Sequence, residues 1–395
     1  MTTFTLTAGA PPRDRLELTG LAALLGFVAT LQFSIAAAEA LLALALLCWA
    51  VSTVRHRERI QVPPMLWPLA AYAGATLLAA AFSLEPRVSL LGCKQLVLFL
   101  VVPLIYQLAR GKRAATFVHV IITVGALSAT VGIIEYGILN YDYLGMRPRG
   151  TLGHYMTYSG LLMMVTSVAA ARLLFDRKDR IWPALVMPAL VVALVLTFTR
   201  SAWVGTCAAV GLLLTLRNVR LLWILPLVAA ALFAVAPTRI SERFYSMFDL
   251  QDPTNRDRVA MLQAGVEMVR DRPLTGMGPN VVQHVYPQYR RPDAVEKRQP
   301  HLHNVPMQIA AERGVIGLAV WIWFVTALTV QLARKFRAGP KRFLPAAGLA
   351  VVAAMLGAGM FEYNFGDSEF LMLFLVLVTL PYAAERTDAG ADPHA

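Results

Sequence analysis

The chain has 395 residues, 57% of them hydrophobic and only 15% charged, with a mean hydropathy of +0.57. That composition excludes an ordinary soluble domain, because several apolar runs are long enough to cross a bilayer. A net charge of +12 would suggest nucleic acid in a soluble protein. Here the basic residues gather between apolar runs, so membrane topology accounts for them and no nucleic-acid partner is expected.

The N-terminal stretch MTTFTLTAGAPPRDRLELTG places its charges directly before the first apolar run. It lacks a short apolar region followed by a small-residue cleavage site, so the first span is read as uncleaved. Twelve spans are predicted, near residues 18–32, 35–53, 65–82, 95–108, 114–138, 156–174, 182–197, 201–216, 221–236, 314–332, 343–359 and 370–382. Several fall short of the roughly 20 residues of a perpendicular helix, so broken or half-buried spans are expected. The first two are close enough to form a tight hairpin. Cys48, Cys93 and Cys207 lie in or beside apolar runs and suggest neither a disulfide framework nor a CxxC metal site.

The loops set the orientation. Arg13, Arg15, Arg55, Arg57, Arg59, Arg110, Lys112 and Arg113 fall on one side of a twelve-span arrangement. So do the clusters at 172–180, 217–220 and 334–342. This is the positive-inside pattern, and it puts both termini in the cytoplasm. The chain then divides into spans one to nine (1–236), a large outer loop (237–302), spans ten to twelve (303–386) and a cytoplasmic tail (387–395) expected to be disordered. In the large loop, residues 255–271 space Val259, Leu262, Val266 and Val269 as one apolar helical face. Asn255 or Asp257 is the expected cap, and Pro273, Gly276 and Gly278 the stop.

The stretch QPHLHNVPMQIAAERGVIG closes the large loop. Asn304 is suited to cap a helix and Pro306 to sit in its first turn. The partial positive charge of that helix end favours neutral imidazole at His303, a form able to accept a proton. Two readings stand: a general base at a membrane surface, or an interfacial capping histidine. His301 and His303 do not make a zinc signature alone, since no nearby cysteine or third histidine completes it. Asp367 and Glu369 are the only tight acidic pair seen in a short outer loop, too few ligands for a hard cation. No metal is expected.

Arginines on the outer side are the other candidates. Arg147 and Arg149 lie in GMRPRGTLGHY, and Arg200 in TFTRSAW. Each reads either as an anchor for lipid headgroups or as part of a phosphate clamp, since guanidinium binds phosphate bidentately and stays charged. In the large loop Arg258, Arg270 and Arg272 are further candidates, with a solvated helix end as the alternative.

His303-Asn304, nine residues, then Gly314-Val-Ile-Gly317 resembles the H-N-x9-G-x-x-G signature of bacterial O-antigen ligases, a superfamily that includes O-antigen polymerases and protein O-oligosaccharyltransferases. The large outer loop, the short-loop arginines and about twelve spans extend the resemblance over most of the chain. It implies an all-α, GT-C-like integral membrane protein of the bacterial inner membrane with its site facing the periplasm. It also implies inverting, metal-independent and cofactor-free transfer of O-antigen from undecaprenyl diphosphate to a sugar hydroxyl of lipid A–core. His303 would be the base, with His301 and Asn304 supporting it. Arg200, Arg147, Arg149 and Arg270 would bind diphosphate, with Arg258 and Arg272 as further supports. The rivals are a polymerase, a protein O-oligosaccharyltransferase, whose members usually carry a larger C-terminal portion, and a lipid-linked glycan transporter. No half-to-half similarity supports the transporter.

Overall fold

A computed structural model describes residues 14–57, 59–139, 147–235, 238–292, 294–340 and 342–386. Arg13, Asp142, Lys341 and the tail 387–395 lie outside the described residues. Every regular element among those described is helical. In chain order they are α1 (Arg15–Thr30), α2 (Ile35–Arg55), α3 (Leu66–Ala81), α4 (Pro86–Leu108), α5 (Arg113–Gly137), α6 (Tyr155–Phe175), α7 (Ile181–Leu196) and α8 (Arg200–Arg217). Then follow α9 (Ile224–Val235), α10 (Thr238–Tyr245), α11 (Pro253–Asp271), α12 (Val282–Tyr289), α13 (Val305–Ala338), α14 (Phe343–Gly359) and α15 (Ser368–Ala383).

Among the described residues five helices, α2, α4, α5, α6 and α13, are long and apolar enough to cross a bilayer by length and composition. Four shorter apolar helices, α3, α7, α14 and α15, accompany them. α1 and α2 pack as the hairpin their spacing suggests. The centre of the bundle is α6, α14 and α15, which are apolar and buried almost all round. α14 packs on α6, α8, α13 and α15. Outward-facing side chains such as Leu47, Leu91, Leu185 and Ile322 are apolar and exposed, as a lipid-facing surface requires.

Two elements differ from the sequence reading in their extent. α4 begins at Pro86, nine residues before the span expected at 95–108, and tightens to a 3-10 turn over Cys93–Leu100. α13 begins at Val305, not at the 314 expected for a span, and Gly314 is a break inside it (φ 64°). The break opens the helical ladder, and the chain after α11 fills it. Val315 N–H donates to Pro273 O (2.8 Å), Met277 N–H to Ala311 O (2.8 Å) and Gly278 N–H to Glu312 O (2.9 Å). A Cβ at Gly314 would collide with Leu274 O, and one at Gly317 with the Arg313 side chain. The two motif glycines are thus the places where α13 admits a crossing strand of loop and a folded-back arginine.

The large loop is a small packed unit. Met261, Met268, Met277, Val282, Tyr286 and Leu302 form a core separate from that of the bundle. α11 starts two residues before the expected helix, capped by Asp252, whose carboxylate accepts from Thr254 N and Asn255 N. Its buried face is also different. Ala260, Met261, Ala264, Gly265 and Met268 are buried, while Val259 is 48% and Val266 38% exposed. The reason is close approach: Gly265 lies against Met307 and Leu302, so small residues face α13 and the β-branched ones are turned out. α10 and α12 are helices that the sequence reading left unassigned.

Candidate functional site

The site is built where the large loop meets the start of α13. Leu302 is buried in the loop core, and its N–H donates to Gln308 Oε1 at 2.7 Å. On the other side, Asn304 Oδ1 accepts from Met307 N (2.9 Å) as the helix cap, and its Nδ2 donates to Met360 O (3.0 Å) at the end of α14. His303, between these two anchored neighbours, takes a left-handed backbone conformation (φ 48°). Non-glycine residues rarely adopt it, and here the surroundings impose it.

That conformation brings His303 Nδ1 within 2.8 Å of Glu362 Oε2. Glu362 Oε1 accepts from Tyr363 N at 3.0 Å. Burial would raise the Glu362 carboxyl, but the charges of His303, His301 and Arg258 prevail and hold it at about 2. An ionised carboxylate only accepts, so Nδ1 is the donating nitrogen, and in the neutral ring the lone pair is then on Nε2. A histidine oriented this way has the arrangement of a general base and its orienting acid.

His301 stands beside the pair, its ring centroid 4.2 Å from that of His303 and its Nε2 3.8 Å from Glu362 Oε1. Burial pushes its pKa down to about 4 against the pull of Glu362, so it is neutral at ordinary pH. The donor atoms of His301, His303 and Glu362 lie within 4.8 Å of one another, a set able to hold a metal ion. Glu362, the third ligand, is 59 residues from His303 in the chain and so is absent from the local histidine pattern.

Next to the histidines is a group of arginines. Arg200, at the start of α8, is 5% exposed and donates to Ser246 O (2.9 Å), Ser246 Oγ (3.1 Å) and Asp252 Oδ1 (3.3 Å). Burial would raise Asp252, and Arg200 overrides it, keeping Asp252 below its usual value. Arg258, on α11, is held down by burial, with Glu362, Arg200, Tyr155 and Asp252 as its electrostatic neighbours. Its buried Nε has no hydrogen-bond partner among the described residues. Arg243, on α10, is held at about 10 by burial and by the charges of Arg200 and Arg147. The Arg147 guanidinium lies over the Tyr155 ring at 4.8 Å, and Arg149 is half-buried two residues on.

The structure therefore brings together Arg147, Arg200, Arg258, His301, His303 and Asn304. It does not bring Arg270 or Arg272 to this group. Arg270 is 68% exposed and pairs with Glu267 (2.6 Å), and Arg272 donates to Phe82 O (2.7 Å) at the end of α3. Arg243 and Glu362 were missed. Arg243 sits in SERFYS, whose helical face was readable; Glu362 sits in MFEYNFGDSE, read only for Asp367 and Glu369.

Behind His301 and Glu362 lies a cavity of about 370 Å³. Its walls include His154, the cap of α6, and Thr157 of α6, Ser201 of α8, Asn280 and Gln283 of the loop, and Asn364 and Asp367 between α14 and α15. Asp367 accepts from Thr157 Oγ1 at 2.6 Å and from Phe370 N at 2.8 Å. Beneath it, Glu312 accepts from Asn280 N (2.8 Å), Gln308 Nε2 (2.9 Å) and Arg313 Nη1 (2.6 Å).

No curated protein matches the chain. A family model described as O-antigen ligase matches residues 184–322, about a third of the chain, running from α7 through Arg200, Arg258 and His303 into α13. Over that stretch the chain is similar to the O-antigen ligase family, in a helical protein with several helices long and apolar enough to cross a membrane.

Proposed function

We propose that the protein is an O-antigen ligase. It transfers O-antigen polysaccharide from undecaprenyl diphosphate to a sugar hydroxyl of lipid A–core at the periplasmic leaflet of the inner membrane. Twelve spans, with both termini in the cytoplasm, put the large loop and the site on the periplasmic side, in keeping with the distribution of cations. The observation that carries the reading is the meeting of a carboxylate-oriented histidine, His303–Glu362 at 2.8 Å, with a group of arginines around the buried Arg200.

The chemistry needs three things: orientation, charge stabilisation on the departing diphosphate and a base for the incoming hydroxyl. Arg200, Arg258 and Arg147 bind the diphosphate, with Arg149 at the edge. Guanidinium groups that repel one another favour a bound dianion. His303 Nε2 takes the acceptor proton as the oxygen attacks the anomeric carbon, and the bond to the diphosphate breaks on the opposite face. A single displacement inverts that centre. The exposed pairing of Arg270 favours a surface role for it, and Arg258 takes the place in the large loop.

The test is product analysis with purified protein, a polyprenyl-diphosphate glycan and lipid A–core. The expected product is a glycan on lipid A–core with inverted anomeric configuration. Chain growth on the donor, with lipid A–core untouched, would instead make the protein a polymerase.

A further inference from the structure

The cavity behind His301 and Glu362 differs from the arginine side in its chemistry. Among the described residues, no lysine or arginine lines it. Its polar wall is made of amides, hydroxyls and carboxylates, chiefly Asn280, Gln283, Thr157, Asn364 and Asp367. Such groups recognise hydroxyls that both donate and accept, and a phosphate there would lose its water without meeting a fixed cation.

Among the described residues, two polar atoms on the lining side chains are buried without a partner. They are Asn364 Oδ1 and His301 Nδ1. Buried polar groups in folded proteins are nearly always paired, so each is left to be met by a water or by a bound molecule. Asn364 is 7% exposed, and its amide nitrogen is already committed to Met355 O at 3.2 Å. The oxygen and the second N–H of the amide are left to meet a ligand. The volume of about 370 Å³ falls within the range of roughly 300–1,000 Å³ for small-molecule sites.

The loop wall is fixed in place. Ser89 Oγ donates to Pro279 O (3.0 Å), Asn280 N–H to Glu312 Oε1 (2.8 Å), and Asn280 sits in a left-handed conformation (φ 61°). Gln283, at the exposed edge, donates to Asn280 O (3.3 Å). The cavity thus has a pre-formed rim at Asn280 and Gln283.

We propose that this cavity is the acceptor subsite and that it takes an uncharged sugar, a terminal residue carrying no phosphate, whose hydroxyls are read by Asn364, Asp367 and Gln283. The inference rests on the transferase reading above and adds the class of acceptor to it. The acceptor sugar enters from the amide side, the diphosphate lies on the arginine side, and the His303–Glu362 pair stands between them.

The experiment has two readouts. The first is saturation-transfer NMR of full-length protein in detergent, with a soluble neutral core oligosaccharide and the same oligosaccharide phosphorylated on its terminal sugar. The neutral compound should bind and the phosphorylated one should bind at least tenfold more weakly. Asn364→Asp, which keeps the shape, should weaken the neutral ligand several-fold. Gln283→Arg, at the exposed edge, should narrow the gap between the two ligands. The second readout is transfer, where both variants should raise the acceptor KM and leave the donor KM within about twofold. Equal binding of the two compounds by wild type, binding of neither, or variants that move only the donor KM would overturn the subsite. Binding as expected without any transfer would uphold the sugar subsite and overturn the transferase reading instead.

Discussion

Two sets of arginines on the same large loop and its neighbours meet opposite fates. Arg200, Arg243 and Arg258 are turned inward, close enough to Arg147, Asp252 and Glu362 to perturb one another's charge. Arg270 and Arg272, near the end of the same helix that carries Arg258, face outward to a glutamate and to a backbone carbonyl. The difference is not one of residue type or of distance along the chain. It is set by which face of α11 packs on α13, and that face is chosen by Ala260, Ala264 and Gly265. A cation on the buried side is held beside the histidine pair; one on the other side is an ordinary surface charge.

Mutations can break this contrast in order of expected effect. His303→Ala should cost about 10²–10⁴ in the rate of transfer, the usual worth of a positioned base, with donor affinity kept. Arg258→Ala should cost about 10²–10³, as loss of one charge-stabilising group does, and should weaken donor binding as well. Arg258→Lys should recover only part of it, because an ammonium lacks the planar fork. Both are read by single-turnover transfer and a donor-binding isotherm.

Glu362→Gln should lower kcat by about 10–100-fold with little change in either KM, since the group that fixes the tautomer is lost and the base remains. This variant also carries a pH signature. The carboxyl is depressed from 4.5 to about 2 in the folded protein. Its contribution to stability is therefore present above 4.5 and is lost as pH falls toward about 2. Thermal unfolding between those limits should fall more steeply for wild type than for Glu362→Gln.

Gly314→Ala tests the break in α13. A left-handed residue there with a Cβ against Leu274 should cost about 1–3 kcal/mol, seen as a lower midpoint of thermal unfolding. Arg270→Ala should be the smallest, with stability within about 0.5 kcal/mol and transfer close to wild type. Equal loss in Arg270→Ala and Arg258→Ala would erase the contrast between the two sides of α11.

The parts legible in the sequence are the local ones. His303 and Asn304, the cap and the proline in the first turn are set by neighbours within a few residues. The glycine that breaks α13 is marked by its motif. The apolar helices follow from composition, though α4 and α13 begin earlier than hydropathy suggests, since their first turns are polar or proline-led. Glu362 was not legible, because its 59-residue separation from His303 is closed only by the packing of α13 on α14. The choice between Arg258 and Arg270 was hidden too. Valines suggested the wrong buried face, and the small residues that decide it carry no strong hydropathy signal.

The central claim is that His303, oriented by Glu362 beside the arginine group, acts as a base without a metal. The most direct measurement is transfer by purified protein from a polyprenyl-diphosphate glycan to lipid A–core in excess chelator, wild type beside His303→Ala, with donor binding followed in both. The account predicts that wild type transfers undiminished and that His303→Ala binds donor but does not transfer. Loss of wild-type activity in chelator, restored by a divalent ion, would contradict it and make His301, His303 and Glu362 a metal centre.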